Sequence, residues 1–205
     1  IGALIYDKRN NGLWIGSNDG MFFYDFDQRK LILPFERCLD ARGCIGTLID
    51  SRGQLWMGSQ TGLRIIDLTK RNKKGYPFLC NNLMYKLDKP ESKVVDKITS
   101  FCQSRDGSVW IGSNSYGIYR ATADADGELQ FKAYTTEDGL ANNSVKGIAE
   151  GQHGNIWITT NNGLYSLSPD GQVVNRYAES DGLLTNQFNY SSGYRDKQGN
   201  IYFGC

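Results

Sequence analysis

Residues 10–25 read NNGLWIGSNDGMFFYD. A polar turn with Asn11 and Gly12 leads into a Trp-bearing apolar segment. A second polar turn ends at Gly20, and an apolar run follows at once. The same plan returns as SRGQLWMGSQTGLRIID at 51–67, RDGSVWIGSNSYGIYR at 105–120 and QHGNIWITTNNGLYSL at 152–167, with KQGNIYFGC at 197–205. All four Trp residues of the chain (Trp14, Trp56, Trp110 and Trp157) stand in one register, and Tyr202 takes that place in the last copy. The intervals are 42, 54, 47 and 45 residues, a period that marks a repeat architecture.

Each copy has a physical plan. An apolar segment comes first: ALIYD at 3–7, CIGTLID at 44–50, KITSFCQ at 97–103 and VKGIAE at 145–150. A turn follows with Gly53, Gly107, Gly154 or Gly199, where Gly takes a positive φ at little cost; Asn11, the next best residue there, fills the place in the first copy. The Trp strand comes next, and its turn closes in Gly20, Gly62, Gly117 or Gly163. A third strand begins there, and fourth strands are expected at 30–35, within 76–87, at 129–135 and at 172–178.

Short antiparallel strands in units of roughly 45 residues predict an all-β propeller. The blades are expected at about 1–36, 44–88, 94–135 and 145–178, with a partial blade at 188–205. The Trp residues and Tyr202 read as wedges between blades, and Gly16, Gly58, Gly112 and Gly204 as points of close approach. Thr159 breaks that Gly pattern in the fourth copy, which is expected to pack differently.

Composition narrows the function. The 23 basic and 22 acidic residues leave a net charge of +1, so no long-range field draws nucleic acid or an acidic membrane to this region. The 24 Gly suit a chain of tight turns. His153 is the only His, in a hairpin position that varies between copies, and no two of the five Cys have CxxC spacing; no metal, no cofactor and no catalytic residue is expected. Asp50 and Asp106 read as turn residues rather than a catalytic pair. Cys38 and Cys44 are close enough in sequence to pair, and Cys102 reads as a small core residue. The start at Ile1, inside an apolar run, reads as a cut from a longer chain.

In a four-stranded meander the turn between strands two and three shares a face with the link to the next blade. That face is expected to hold Asn18, Asp19, Gln60, Asn114, Tyr116, Asn142, Asn161, Asn162 and Asn186. Amides and an aromatic ring suit a sugar, which offers hydroxyls and an apolar C–H face. Tyr116 is inserted relative to the other copies, so that the Trp-to-Gly interval is seven rather than six.

The near copies TTEDGLANNSVKG and AESDGLLTNQFNY, with the G-x-[IVL]-W-[IM]-G-[ST] core, resemble the two-component regulator propeller repeat. The resemblance covers nearly the whole chain. It implies the periplasmic sensor region of an inner-membrane hybrid two-component histidine kinase, with seven-bladed rings, a carbohydrate ligand and control of transcription. The expected partners are an oligosaccharide, the remainder of the sensor and a second copy in a homodimer. A non-catalytic scaffold for protein association is the alternative, followed by a propeller lyase or hydrolase.

Overall fold

The computed structural model describes residues 2–34, 43–60, 62–70, 78, 84–85 and 97–205. Residues 1–98 and 99–205 form two compact units. The first holds two four-stranded antiparallel sheets: β1 (Ala3–Asp7), β2 (Gly12–Ser17), β3 (Gly20–Asp25) and β4 (Lys30–Ile32), then β5 (Gly46–Ile49), β6 (Gln54–Ser59), β7 (Gly62–Asp67) and β8 (Met84–Tyr85). The second unit holds β9 (Ile98–Gln103, its first residue shared with the first unit), β10 (Val109–Ser113), β11 (Ile118–Ala123) and β12 (Leu129–Tyr134). Next come β13 (Val145–Glu150), β14 (Ile156–Thr160), β15 (Gly163–Leu167) and β16 (Val173–Tyr177), and then the two-stranded pair β17 (Gly193–Arg195) and β18 (Ile201–Phe203). Strands pair in chain order within every sheet, the meander of a propeller blade.

The hairpins show why this sequence folds so. Between first and second strands, the amides of Gly53, Gly107, Gly154 and Gly199 donate to the carbonyls three residues earlier, on Asp50, Ser104, Gly151 and Asp196. These glycines have φ of 81 to 90°, and Asn11 fills the first copy's turn at φ 45°. The same turn joins third to fourth strands at Gly127 and Gly171. At the second-to-third turns, the hydroxyls of Ser17, Ser59 and Thr160 donate to the carbonyls of Gly20, Gly62 and Gly163, which explains the hydroxyl residue after the Trp-x-Gly core.

Burial differs from strand to strand. β13 is buried along its whole length, whereas β16 and β4 are largely exposed. Large buried side chains lie on second and third strands, among them Trp14, Phe23, Leu55, Trp56, Trp110 and Tyr165. In the first unit Trp14, Phe23, Leu55, Met57, Ile66 and Phe78 form one cluster, with Trp14 wedged 4.8 Å from both Phe rings. In the second, Trp110 packs with Tyr134, Ile148, Ile156, Tyr165 and Leu167 across two successive sheets.

Two Trp indoles have a partner at the end of their first strand. Trp14 Nε1 donates to Asp7 at 3.1 Å, and Trp56 Nε1 to Asp50 at 3.0 Å; Tyr202 hydroxyl donates to Asp196 at 3.3 Å. Ser104 and Gly151 occupy the equivalent turn positions before Trp110 and Trp157. Trp110 instead lies under the Arg120 guanidinium, which pairs with Asp106 at 2.6 Å. Trp157 is half-buried and stacks on Tyr177.

The fourth sheet departs at Thr159, as its sequence suggests. Elsewhere Gly stands at this position; at Gly112 a Cβ would strike Ser100 and Val145. Here Thr159 faces Gly147, whose amide donates to the Thr159 hydroxyl at 2.9 Å. The small residue has moved to the first strand, and the register of β13 slips between Val145 and Gly147, leaving Lys146 as a bulge.

Candidate ligand-binding face of the second unit

The face formed by second-to-third turns and inter-sheet links is most developed around β13. The links entering β13 and β17 share one construction. A 3₁₀ turn at Thr136–Asp138, and another at Glu179–Asp181, ends in a left-handed Gly139 or Gly182. Asn143 and Asn186 accept from the first amide of each turn at 2.9 Å, while their carbonyls accept from Gly117 and Gly163. The repeated DGL-x-x-N pattern is thus a loop scaffold.

Equal construction makes the difference between the links visible. From Asn143 to Ala149, which pairs with Trp157, is six residues; from Asn186 to Tyr194, which pairs with Tyr202, is eight. The longer link carries Tyr190 and Ser191. Ser191 has φ 53°, an uncommon conformation for a residue with a side chain. Its amide donates to the Lys146 carbonyl at 2.9 Å and its hydroxyl to the Thr99 carbonyl at 2.7 Å.

These contacts assemble a polar cluster. Tyr190 hydroxyl donates to Asn114 Oδ1 at 2.8 Å, and Ser144 hydroxyl donates to the same oxygen at 3.4 Å. Lys146 Nζ lies 3.7 Å from the Tyr190 ring centroid, a cation–π contact. Thr99 hydroxyl contacts the carbonyls of Gly112 and Val145, at 3.0 and 2.7 Å, and so braces the bulge beneath. The cluster joins Asn114 from a turn, Ser144 and Tyr190 from links and Lys146 from the innermost strand.

The residues expected from sequence are placed as follows. Asn114 is central to the cluster. Tyr116 is half-buried in the same turn, its amide donating to Ser113 Oγ. Asn142 spends its carbonyl on the Ser144 amide at 2.7 Å, and Asn186 on Glu179. Asn161 is exposed in the β14–β15 turn, and Asn162 accepts from Arg176 at 3.3 Å. In the first unit Asn18 and Asp19 are exposed in the β2–β3 turn, and Gln60 in the β6–β7 turn. Ser144, Lys146 and Tyr190 were missed. The two extra residues of the last link were the signal for Tyr190; nothing in VKGIAE marks its Lys as buried.

On the opposite face, a cleft of about 220 Å³ is lined by Ser104, Arg105, Asp106, Glu150, His153, Gly154 and Pro169. Arg105 holds Glu150 at 3.6 Å and donates to the carbonyls of Gly151 and Gln152. His153 is exposed in its turn. Burial pushes the Asp106 carboxyl up, but hydrogen bonds from Ser108 and the Arg120 guanidinium more than offset this and hold it below the usual range. Asp50 is committed to Trp56 and to the amides of its own turn. Among the described residues no three His, Cys, Asp or Glu side chains gather to hold a metal ion. Cys44 is a buried free thiol, and Cys38 lies outside the described residues.

The two-component regulator propeller family matches this chain at residues 94–115 and 139–162. A protein of Formosa agariphila named Histidine kinase P4 is 28% identical over 156 residues, covering 76% of this chain and 11% of its own length. Among solved structures, the extracellular domain of a B. thetaiotaomicron protein assigned as a hybrid two-component system aligns over 99% of this chain and 25% of its own, at 23% identity and TM-score 0.76. A virginiamycin B lyase from Staphylococcus aureus aligns over 98% of this chain and 61% of its own, at 17% identity and TM-score 0.64. At these identities the structural likenesses speak to the fold. The chain spans about a tenth of the curated relative and a quarter of the first structure.

Proposed function

Because the chain carries two-component regulator propeller repeats, we infer that it is the ligand-sensing part of a hybrid sensor histidine kinase, outside the inner membrane, and that it reports a carbohydrate. The observation carrying this reading is the Asn114–Ser144–Tyr190 cluster. An amide, a hydroxyl and an aromatic ring converge there from three segments of chain, a combination matched to sugar hydroxyls and C–H faces. The region itself is read as non-catalytic, with kinase chemistry elsewhere in the longer protein. Calorimetric titration of an oligosaccharide panel against the chain tests the reading. At least one saccharide is expected to bind, and Asn114→Ala to weaken it at least about fivefold, a loss of roughly 1 kcal/mol for one hydrogen-bonding side chain. No binding by any saccharide, or unchanged affinity in the variant, overturns it.

One observation favours a second role as an association surface. Leu4, Tyr6, Leu13, Ile15, Tyr24 and Leu31 lie on one face of the first sheet, by its pairing register. Leu4, Tyr6 and Leu31 are each more than half exposed. A continuous apolar face of this kind marks a contact surface, here for another sheet of the same protein or of a second copy.

A further inference from the structure

Lys146 is the least ordinary residue of the second unit. It is only 5% exposed, on the first strand of its sheet, at the bulge between Val145 and Gly147. Buried lysines are normally matched to carboxylates, because stripping water from an ammonium is costly. Among the described residues none pairs with Lys146; its ammonium rests on the face of Tyr190. A ring face supplies only part of what water supplied.

The surroundings hold the lysine in this place. The bulge turns one extra residue out of the β13 register, a device common beside functional sites. Thr99 fixes the Val145 carbonyl before it, and Ser191, in its left-handed conformation, fixes the Lys146 carbonyl itself. Tyr190 is 39% exposed, and Asn114 beside it is partly exposed. Asn114 and Ser144 flank it with neutral hydrogen-bonding groups. The cluster thus combines one largely buried lysine, neutral polar groups and an aromatic ring, with no negative charge of its own.

We propose that Lys146 is an anion-reading element of this face and that the saccharide sensed carries a carboxylate or sulfate group. The anion approaches past the Tyr190 ring and pairs with the ammonium, while Asn114 and Ser144 meet sugar hydroxyls. Net charge near zero leaves the chain without long-range attraction for anions, so discrimination arises at this one buried cation. The proposal rests on the carbohydrate reading above, and the experiment separates the two.

The full chain is titrated with a galacturonate trisaccharide, a sulfated trisaccharide, a neutral galactose trisaccharide and inorganic sulfate, each at low and high salt. The wild type, Lys146→Met and Lys146→Arg are compared, with thermal melts to show that each variant folds. At least one acidic saccharide is expected to bind tenfold or more tightly than the neutral one, with affinity falling as salt rises. Lys146→Met is expected to abolish that preference while keeping any neutral binding, and Lys146→Arg to restore part of it. Equal binding of acidic and neutral saccharides, unaffected by Lys146→Met, overturns the anion proposal and leaves the carbohydrate reading standing. Lys146-dependent binding of sulfate without any saccharide binding supports the anion site and overturns the carbohydrate reading. If Lys146→Met fails to fold, the wild type and Lys146→Arg decide: acidic and neutral saccharides bound with equal affinity by both overturn the proposal.

Discussion

At the scale of single residues, similar amino acids have been given different work by their surroundings. Asp50 and Asp196 serve the ring of their own hairpin, Asp106 serves Arg120, and Asp138 caps a 3₁₀ turn. Cysteines divide in the same way. Burial pushes the Cys44 thiol up to about 12 and the Cys102 thiol up to about 11, whereas Cys205 is exposed. Only the thiolate reacts readily, and a buried thiol is also shielded from reagent. Brief alkylation of the native chain near pH 8, read by peptide mass spectrometry, is expected to label Cys205 and spare Cys44 and Cys102. Equal labelling of the three would show that these burial assignments are wrong.

At the scale of the element, each blade repeats one plan, but Trp110 and Trp157 lack the Asp partner that the other three aromatics share. Trp110 is 1% exposed and sandwiched between its own sheet and the next, with Arg120 above it. Trp157 is half-buried, with Gly151 in the place that holds an Asp in three other copies. Trp110→Ala is expected to cost about 3–5 kcal/mol, the range for removing a fully buried large aromatic, and Trp157→Ala clearly less. Denaturant melts of the two variants check this, and equal losses would contradict the assigned packing. The repeat register, the turn glycines and the strands around each Trp were legible in sequence, because hairpin geometry and two-residue periodicity act locally. The bulge at Lys146 was not. It arises where Thr159 and Gly147 exchange sizes across two strands, and no single stretch records that exchange.

For the molecule as a whole, the apolar face of the first sheet has a measurable consequence. Exposed Leu4, Tyr6 and Leu31 are expected to drive concentration-dependent association of the chain. Sedimentation velocity should show a species heavier than 23.0 kDa that Tyr6→Lys with Leu31→Lys converts to monomer. A wild-type chain that stays monomeric to its solubility limit would remove this role for the face. The expected binding residues also separate at this scale: Asn18, Asp19 and Gln60 belong to one compact unit, and Asn114, Tyr116, Asn142, Asn161, Asn162 and Asn186 to the other.

The sequence by itself determined the all-β repeat, the strand order within each blade, the places of Trp14, Trp56, Trp110, Trp157 and Tyr202, and the turn glycines, since all follow from short-range sterics and alternating burial. It also pointed to Asn114 as a residue of the exposed turn face. Only the tertiary structure brought Tyr190 to Asn114 across 76 residues of chain and placed the Lys146 ammonium against that ring. The physical reason is that these partners belong to different repeats, far apart in the chain. A turn or a strand dictates its own conformation, but which groups meet between blades is decided by the packing of distant copies against one another.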